Sequence, residues 1–144
     1  MEKYPFCSAA WVGVARDFIE TQCAENNLSG IETSFCERFT DAPDDVTTDG
    51  DGVTGWYFRI ADGKVEVGHG VIEDADATII ADYQTVVPLA RMVFEGNPEG
   101  ASEAQKMVEE ATAQGKMRRE GNEEAMGATP FLAGLHDVLA RCTA

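Results

Sequence analysis

The feature that most constrains the fold is the alternating stretch WYFRIADGKVEVGHG at residues 56–70. Apolar and polar side chains alternate on both sides of Asp62-Gly63. The Asp-Gly pair favours a two-residue type I′ turn, because both central positions of that turn need positive φ. Such a turn sets Trp56 opposite His69 and gives one apolar and one charged face. The stretch therefore predicts an antiparallel hairpin that is buried on one side.

Helical and strand periodicities elsewhere predict the order α, β, β-hairpin, β, α, α, β, α. Residues that suit helix N-termini precede three of the helices. The predicted elements are a helix from Ser8 to Asn26, strands at 31–39 and 77–81, a helix over about 84–95 capped by Asp82, a helix from a Ser102–Gln105 capping box to Gln114, an edge strand at 116–122 and a last helix opening at Thr129-Pro130. This order predicts an α+β fold with helices on one face of the sheet.

Length and charge limit the classes of function. A chain of 144 residues predicts a single domain over 1–144. The formal net charge of −15 makes nucleic-acid binding improbable, since the protein would repel a phosphate backbone. No apolar run approaches the roughly 18 residues of a spanning helix. We therefore expect no signal peptide, no stable membrane insertion and a cytoplasmic protein with reduced thiols.

Metal and cofactor motifs are missing from the sequence. The four cysteines form no CxxC pair and there are two histidines, so no zinc spacing is present. The loop at 40–52 carries five aspartates, but a calcium loop starting at Asp45 would place Trp56 where a glutamate is required. We expect a solvated acidic loop, no metal and no cofactor.

At this point the chain resembles the sterol carrier protein 2 family of small lipid-binding domains, from about residue 8 to the end. The residues that carry the resemblance are WYFRIADGKVEV, DADATI at 74–79, FEGNPEG and TAQGKMRREGN, followed by an apolar C-terminal helix. The resemblance implies a five-stranded, mostly antiparallel sheet covered on one face by helices. It also implies an apolar tunnel for acyl chains, sterols or similar lipids. The strong acidity departs from the family and favours delivery to a partner enzyme over docking on a membrane.

Catalytic motifs are also missing: the sequence has no nucleophile elbow, phosphate loop or HExxH. His69 has three interpretations: a satisfied core or rim histidine, a polar anchor for a ligand, or a general base. His136 lies one residue off the apolar stripe of the last helix and is predicted to be exposed. Arg91 and Arg118 are the candidates for binding an anionic head group.

The predicted ligand-binding residues are side chains that would face one another across the tunnel, and ordinary core packing is the alternative interpretation. They are Trp56, Phe58, Ile60, Val67, His69 and Ile79 on the sheet side, and Met92, Met107, Phe131, Leu135 and Leu139 on the helix side. Three hypotheses follow: a non-enzymatic carrier of a hydrophobic small molecule, an interaction subunit with a filled cavity that docks on a partner enzyme, and a small enzyme with His69 as base.

Overall fold

The computed structural model describes residues 2–47, 52–122, 130–132 and 134–144. Its elements follow the predicted order. They are α1 (Ala9–Glu25), β1 (Thr33–Thr40), β2 (Thr54–Ala61), β3 (Lys64–His69), β4 (Ala77–Asp82), α2 (Tyr83–Ala90), α3 (Pro98–Ala113), β5 (Met117–Gly121), a 3-10 turn (Pro130–Leu132) and α4 (Leu135–Arg141). The predicted α+β class is confirmed.

The five strands form one sheet in the order β3-β2-β1-β4-β5. β1 and β4 run parallel and the other neighbours run antiparallel, which confirms a mostly antiparallel sheet. In the hairpin, Trp56 pairs with His69 as predicted. Asp62 and Gly63 have φ values of 54° and 73°, as the predicted turn requires.

The two faces of the sheet are covered differently. Helices pack on the inner face, toward which alternate side chains of β1 and β2 point. On the outer face, the connection over residues 70–76 crosses β2 and β1. The Gly70 amide donates to the Gly55 carbonyl at 2.8 Å, and Asp76 exchanges two hydrogen bonds with Ser34. This crossing explains why Ser34 and Cys36 are buried on the face without helices.

The start of α1 is confirmed, because the Ser8 hydroxyl accepts from the Trp11 amide at 3.3 Å. The predicted start of α3 is wrong. Asn97 caps this helix by accepting from the Gly100 amide at 3.1 Å, and Pro98 occupies its first turn. Proline suits that position because it lacks the amide that would be left unpaired there. The capping box at Ser102 therefore lies inside the helix.

The predicted extents of two other helices are also wrong. α2 begins directly after Asp82 but ends at Ala90 rather than near residue 95. Pro88 lies inside α2, where it removes one helical amide near the end. The last helix is split into the 3-10 turn and α4, with Gly134 between them. Thr129, at the predicted start, lies outside the described residues, as do Asp49, Gly50 and Asp51 of the acidic loop.

The N-terminal segment joins the C-terminal one beside this core. The Tyr4 amide donates to the Cys142 carbonyl at 2.7 Å, and the Ala144 amide donates to the Tyr4 carbonyl at 2.8 Å. The indole of Trp11 donates to the buried Thr143 hydroxyl at 3.1 Å. These bonds hold the end of α4 against α1, so the last helix is fixed over the inner face of the sheet.

Candidate functional site

A cavity of about 450 Å³ lies between the inner face of the sheet and the helices. Its volume falls within the range of about 300–1,000 Å³ that is typical of small-molecule sites. Eleven of its thirteen lining residues are apolar. The lining consists of Phe35, Glu37, Trp56 and Phe58 from the sheet, Phe6 and Trp11 from the N-terminal part, Val86, Leu89 and Ala90 from α2, and Leu132, Leu135, His136 and Leu139 from the C-terminal part.

The N-terminal segment closes one side of this cavity. The carbonyl of Phe6 accepts from the Tyr83 hydroxyl at 2.6 Å, which fixes the backbone next to the start of α2. The Phe6 ring then packs against Trp11, Phe39 and Tyr83, with ring centroids 4.8–5.3 Å apart. Tyr83 is thereby buried behind Phe6, with its hydroxyl engaged, and does not line the cavity.

Glu37 is the one carboxylic acid in the cavity lining. On β1 it points to the same face as Phe35 and Phe39, because successive strand residues alternate between faces. The indole nitrogen of Trp56, from β2, donates to its Oε1 at 3.0 Å. The sequence interpretation missed Glu37. The pattern Phe-x-Glu-x-Phe across β1, which places a carboxyl on an otherwise apolar face, was the signal that could have found it.

Burial raises the pKa of Glu37 to about 7, against an ordinary value of 4.5. The cause is desolvation, which disfavours the charged carboxylate, and the hydrogen bond from Trp56 offsets part of it. Part of the Glu37 side chain keeps some exposed surface area, and the residue lines the cavity. The carboxyl thus exchanges its proton in the neutral pH range.

His136 is the second polar group in the lining, and the prediction that it is exposed is wrong. Its ring stacks on Phe94, with the planes 1° apart and the centroids at 4.3 Å. Its Nε2 lies 2.8 Å from the Met92 carbonyl oxygen. A carbonyl can only accept, so Nε2 carries the hydrogen. His136 and Leu89 also border a neighbouring apolar groove of about 340 Å³ against α3.

The structure brings four of the predicted ligand-binding residues together on the cavity wall: Trp56, Phe58, Leu135 and Leu139. The other predicted residues lie outside this wall. Ile60 and Val67 are buried in the core, and Ile79, Met92, Met107 and Phe131 are partly buried against it. Contact of any of these residues with a ligand stays a prediction.

His69 also lies outside the cavity wall. Its Nε2 is 2.8 Å from the carbonyl oxygen of Cys7 and 3.4 Å from the Thr54 hydroxyl. The imidazole therefore joins the N-terminal segment to the end of the hairpin, which is the geometry of a satisfied structural histidine. The thiol of Cys7 is no nucleophile, because burial raises its pKa to about 12.

The two arginines predicted to bind an anionic head group also lie elsewhere. Arg91 donates from the protein surface to the Ala144 carbonyl at 2.7 Å. Arg118 lies on the exposed part of β5 and pairs with Glu120 at 3.4 Å. Among the described residues, no group of three acidic, cysteine or histidine side chains could hold a metal ion. Within the same part of the chain, no helix is long and apolar enough to cross a bilayer.

Comparison with solved structures identifies the fold. The sterol carrier protein domain 2 of Helicoverpa armigera superposes with a TM-score of 0.51 at 20% sequence identity, covering 98% of this chain and 95% of that one. This chain has the sterol carrier protein 2 fold. A conserved hypothetical protein of Thermus thermophilus, whose name suggests a sterol carrier protein, gives a TM-score of 0.50 at 17% identity, covering 100% of this chain and 94% of that one. No family model and no curated protein sequence matches the chain. The resemblance seen in the sequence motifs is thus confirmed at the level of the fold.

Proposed function

We propose that this protein binds and carries a hydrophobic small molecule in the cavity between the sheet and the helices α2 and α4. The observation that carries the proposal is the cavity itself: about 450 Å³ with a lining that is apolar except for Glu37 and His136. An apolar site with a few polar groups is the usual form of a small-molecule site. Affinity would come mainly from burying the apolar surface of the ligand, at about 25 cal/mol per Å² before the costs of association.

The open volume favours this carrier over an interaction subunit whose cavity is filled. A partner enzyme is still part of the proposal, since a carrier must deliver its ligand. The net charge of −15 would suit a basic docking surface and would make association sensitive to salt. We also propose a reducing, cytoplasmic setting, in keeping with four buried cysteines that form no disulfide.

The geometry of His69 weighs against the third hypothesis, an enzyme with this residue as base. A general base must reach the proton that it removes. The imidazole instead faces the Cys7 backbone and the Thr54 hydroxyl, outside the cavity. We therefore propose a non-enzymatic role.

Intrinsic fluorescence tests the carrier proposal, because both tryptophans of the chain, Trp11 and Trp56, line the cavity. A hydrophobic ligand such as decanol should change their emission in a saturable way. Ala90→Leu, which places a larger side chain in the cavity, should weaken binding by about tenfold or more. Ala10→Leu makes the same substitution on the exposed side of α1 and should leave binding unchanged. Equal binding by both variants, or no binding by the wild type, would refute the carrier.

A further inference from the structure

The carboxyl of Glu37 has unused hydrogen-bonding capacity that faces the cavity. Trp56 occupies Oε1. No other described residue donates to this carboxyl. Every fully enclosed side-chain nitrogen or oxygen of the described residues has a partner. The second oxygen, Oε2, is therefore not enclosed by protein, and Glu37 lines the cavity. When the carboxyl is ionised, this oxygen is an acceptor for a group that enters the cavity.

No cation of the described chain neutralises this carboxyl. The cavity lining contains no lysine or arginine, and the indole that reaches Glu37 is a neutral donor. Burying a carboxylate away from water costs free energy unless an opposite charge or hydrogen-bond donors lie beside it. Either a proton or a donor from a bound molecule can remove that cost.

The other polar group in the lining already has a hydrogen-bond partner. The Nε2 of His136 donates to the Met92 carbonyl, so this nitrogen is not free to donate to a ligand. The cavity lining thus leaves an oxygen of Glu37 for a ligand and contains no lysine or arginine. Such unpaired groups contribute to ligand specificity. A ligand of the wrong chemistry either leaves them without a hydrogen bond or is repelled by their charge.

We infer that the cavity selects a hydrophobic molecule whose polar end donates hydrogen bonds, a protonated amine or a hydroxyl, and that Glu37 is the residue that determines this specificity. The inference rests on the proposed carrier function and adds the chemical class of the ligand. A protonated amine should bind with the highest affinity, because it supplies both the hydrogen-bond donor and the missing positive charge. An ionised fatty acid is rejected, because its carboxylate would face that of Glu37.

The test compares three ligands that share one decyl chain: decylamine, decanol and decanoic acid. Binding is followed by tryptophan fluorescence at pH 8, where the amine and the acid are both charged and the pKa of about 7 leaves Glu37 mostly ionised. The wild type should bind decylamine at least about tenfold more tightly than decanoic acid, which corresponds to about 1.4 kcal/mol. Decanol should bind between the two.

Two variants separate Glu37 from the overall acidity of the protein. Glu37→Gln keeps the size and an acceptor for Trp56 but removes the charge, and should abolish most of the preference for the amine while retaining decanol. Glu103→Gln removes the same charge from the exposed face of α3 and should keep the preference. Urea unfolding of each variant checks that it is folded.

The outcomes are distinguishable. Equal or tighter binding of decanoic acid by the wild type would overturn the inference while leaving a hydrophobic carrier. A preference for the amine that survives Glu37→Gln would also overturn it, because the global charge would then be the cause. Failure of all three ligands to bind would overturn the carrier function and the inference together.

Discussion

The raised pKa of Glu37 should make the protein less stable as the pH rises into the neutral range. The folded state holds this proton up to a pKa of about 7, whereas the unfolded chain loses it near 4.5. Between these values the folded state binds more protons, so the free energy of unfolding falls with increasing pH. The stabilising contribution is complete below about pH 4.5 and lost above about pH 7. At about 1.4 kcal/mol per tenfold change in proton affinity, it amounts to about 3 kcal/mol.

Glu37→Gln isolates this contribution, because glutamine can still accept from Trp56 but cannot ionise. Urea unfolding at about pH 5 and pH 8 gives the loss of stability for each protein. The wild type should lose about 2–3 kcal/mol more than the variant over this interval. Glu103→Gln, on the exposed face of α3, is the matched control and should show the pH dependence of the wild type. The remaining carboxylates contribute equally to the pH dependence of stability in all three proteins, so their effect cancels in the comparison.

The tryptophan indoles supply an independent readout by NMR spectroscopy. The indole N–H of Trp56 donates to Glu37, so its resonance should titrate with a midpoint near pH 7. That of Trp11 donates to the hydroxyl of Thr143, which stays neutral, and should not follow this titration. An identical pH dependence of stability in wild type and Glu37→Gln, or a Trp56 resonance that is constant from pH 5 to pH 8, would show that Glu37 does not titrate near neutral pH.

Two further predictions concern the framework of the site. His69→Ala should lower the free energy of unfolding by about 1–3 kcal/mol, because it leaves the Cys7 carbonyl without its imidazole partner. The same substitution should leave decanol binding unchanged. Weaker decanol binding would instead show that His69 contributes to the ligand site. Gly55→Ala should lower the melting temperature by several degrees, because its Cβ would overlap the backbone carbonyl oxygen of Glu37 and lie 2.7 Å from Cγ2 of Val71. Gly13→Ala, with open space around it, should maintain or raise stability, and equal effects of the two substitutions would contradict the packing described for the outer face.

The hairpin was predictable because its signals are local. Asp62-Gly63 sets the turn, the turn sets the register, and the register sets Trp56 across from His69. The start of α3 was mispredicted because two capping signals compete within a few residues. Asn97-Pro98 starts the helix earlier than the Ser102 capping box, and nothing in the local sequence ranks one above the other.

The cavity could be predicted only in part, since its lining depends on how distant elements pack. Trp56 and Phe58 follow from the alternation of one strand. The role of Glu37 depends on the opposing α2 and α4 leaving space above it, and sequence spacing does not report that space. His136 was expected to face solvent because it lies off the apolar stripe. The segment between α2 and α3 places Phe94 against its ring instead.

A crystal structure of the protein with decylamine bound would show directly whether the cavity holds the chain and whether Glu37 binds the amine. We expect the decyl chain in the cavity between Phe58 and Leu139, with the ammonium nitrogen about 3 Å from Oε2 of Glu37. A ligand found only on the surface, or a chain in the cavity with its nitrogen directed away from Glu37, would contradict it.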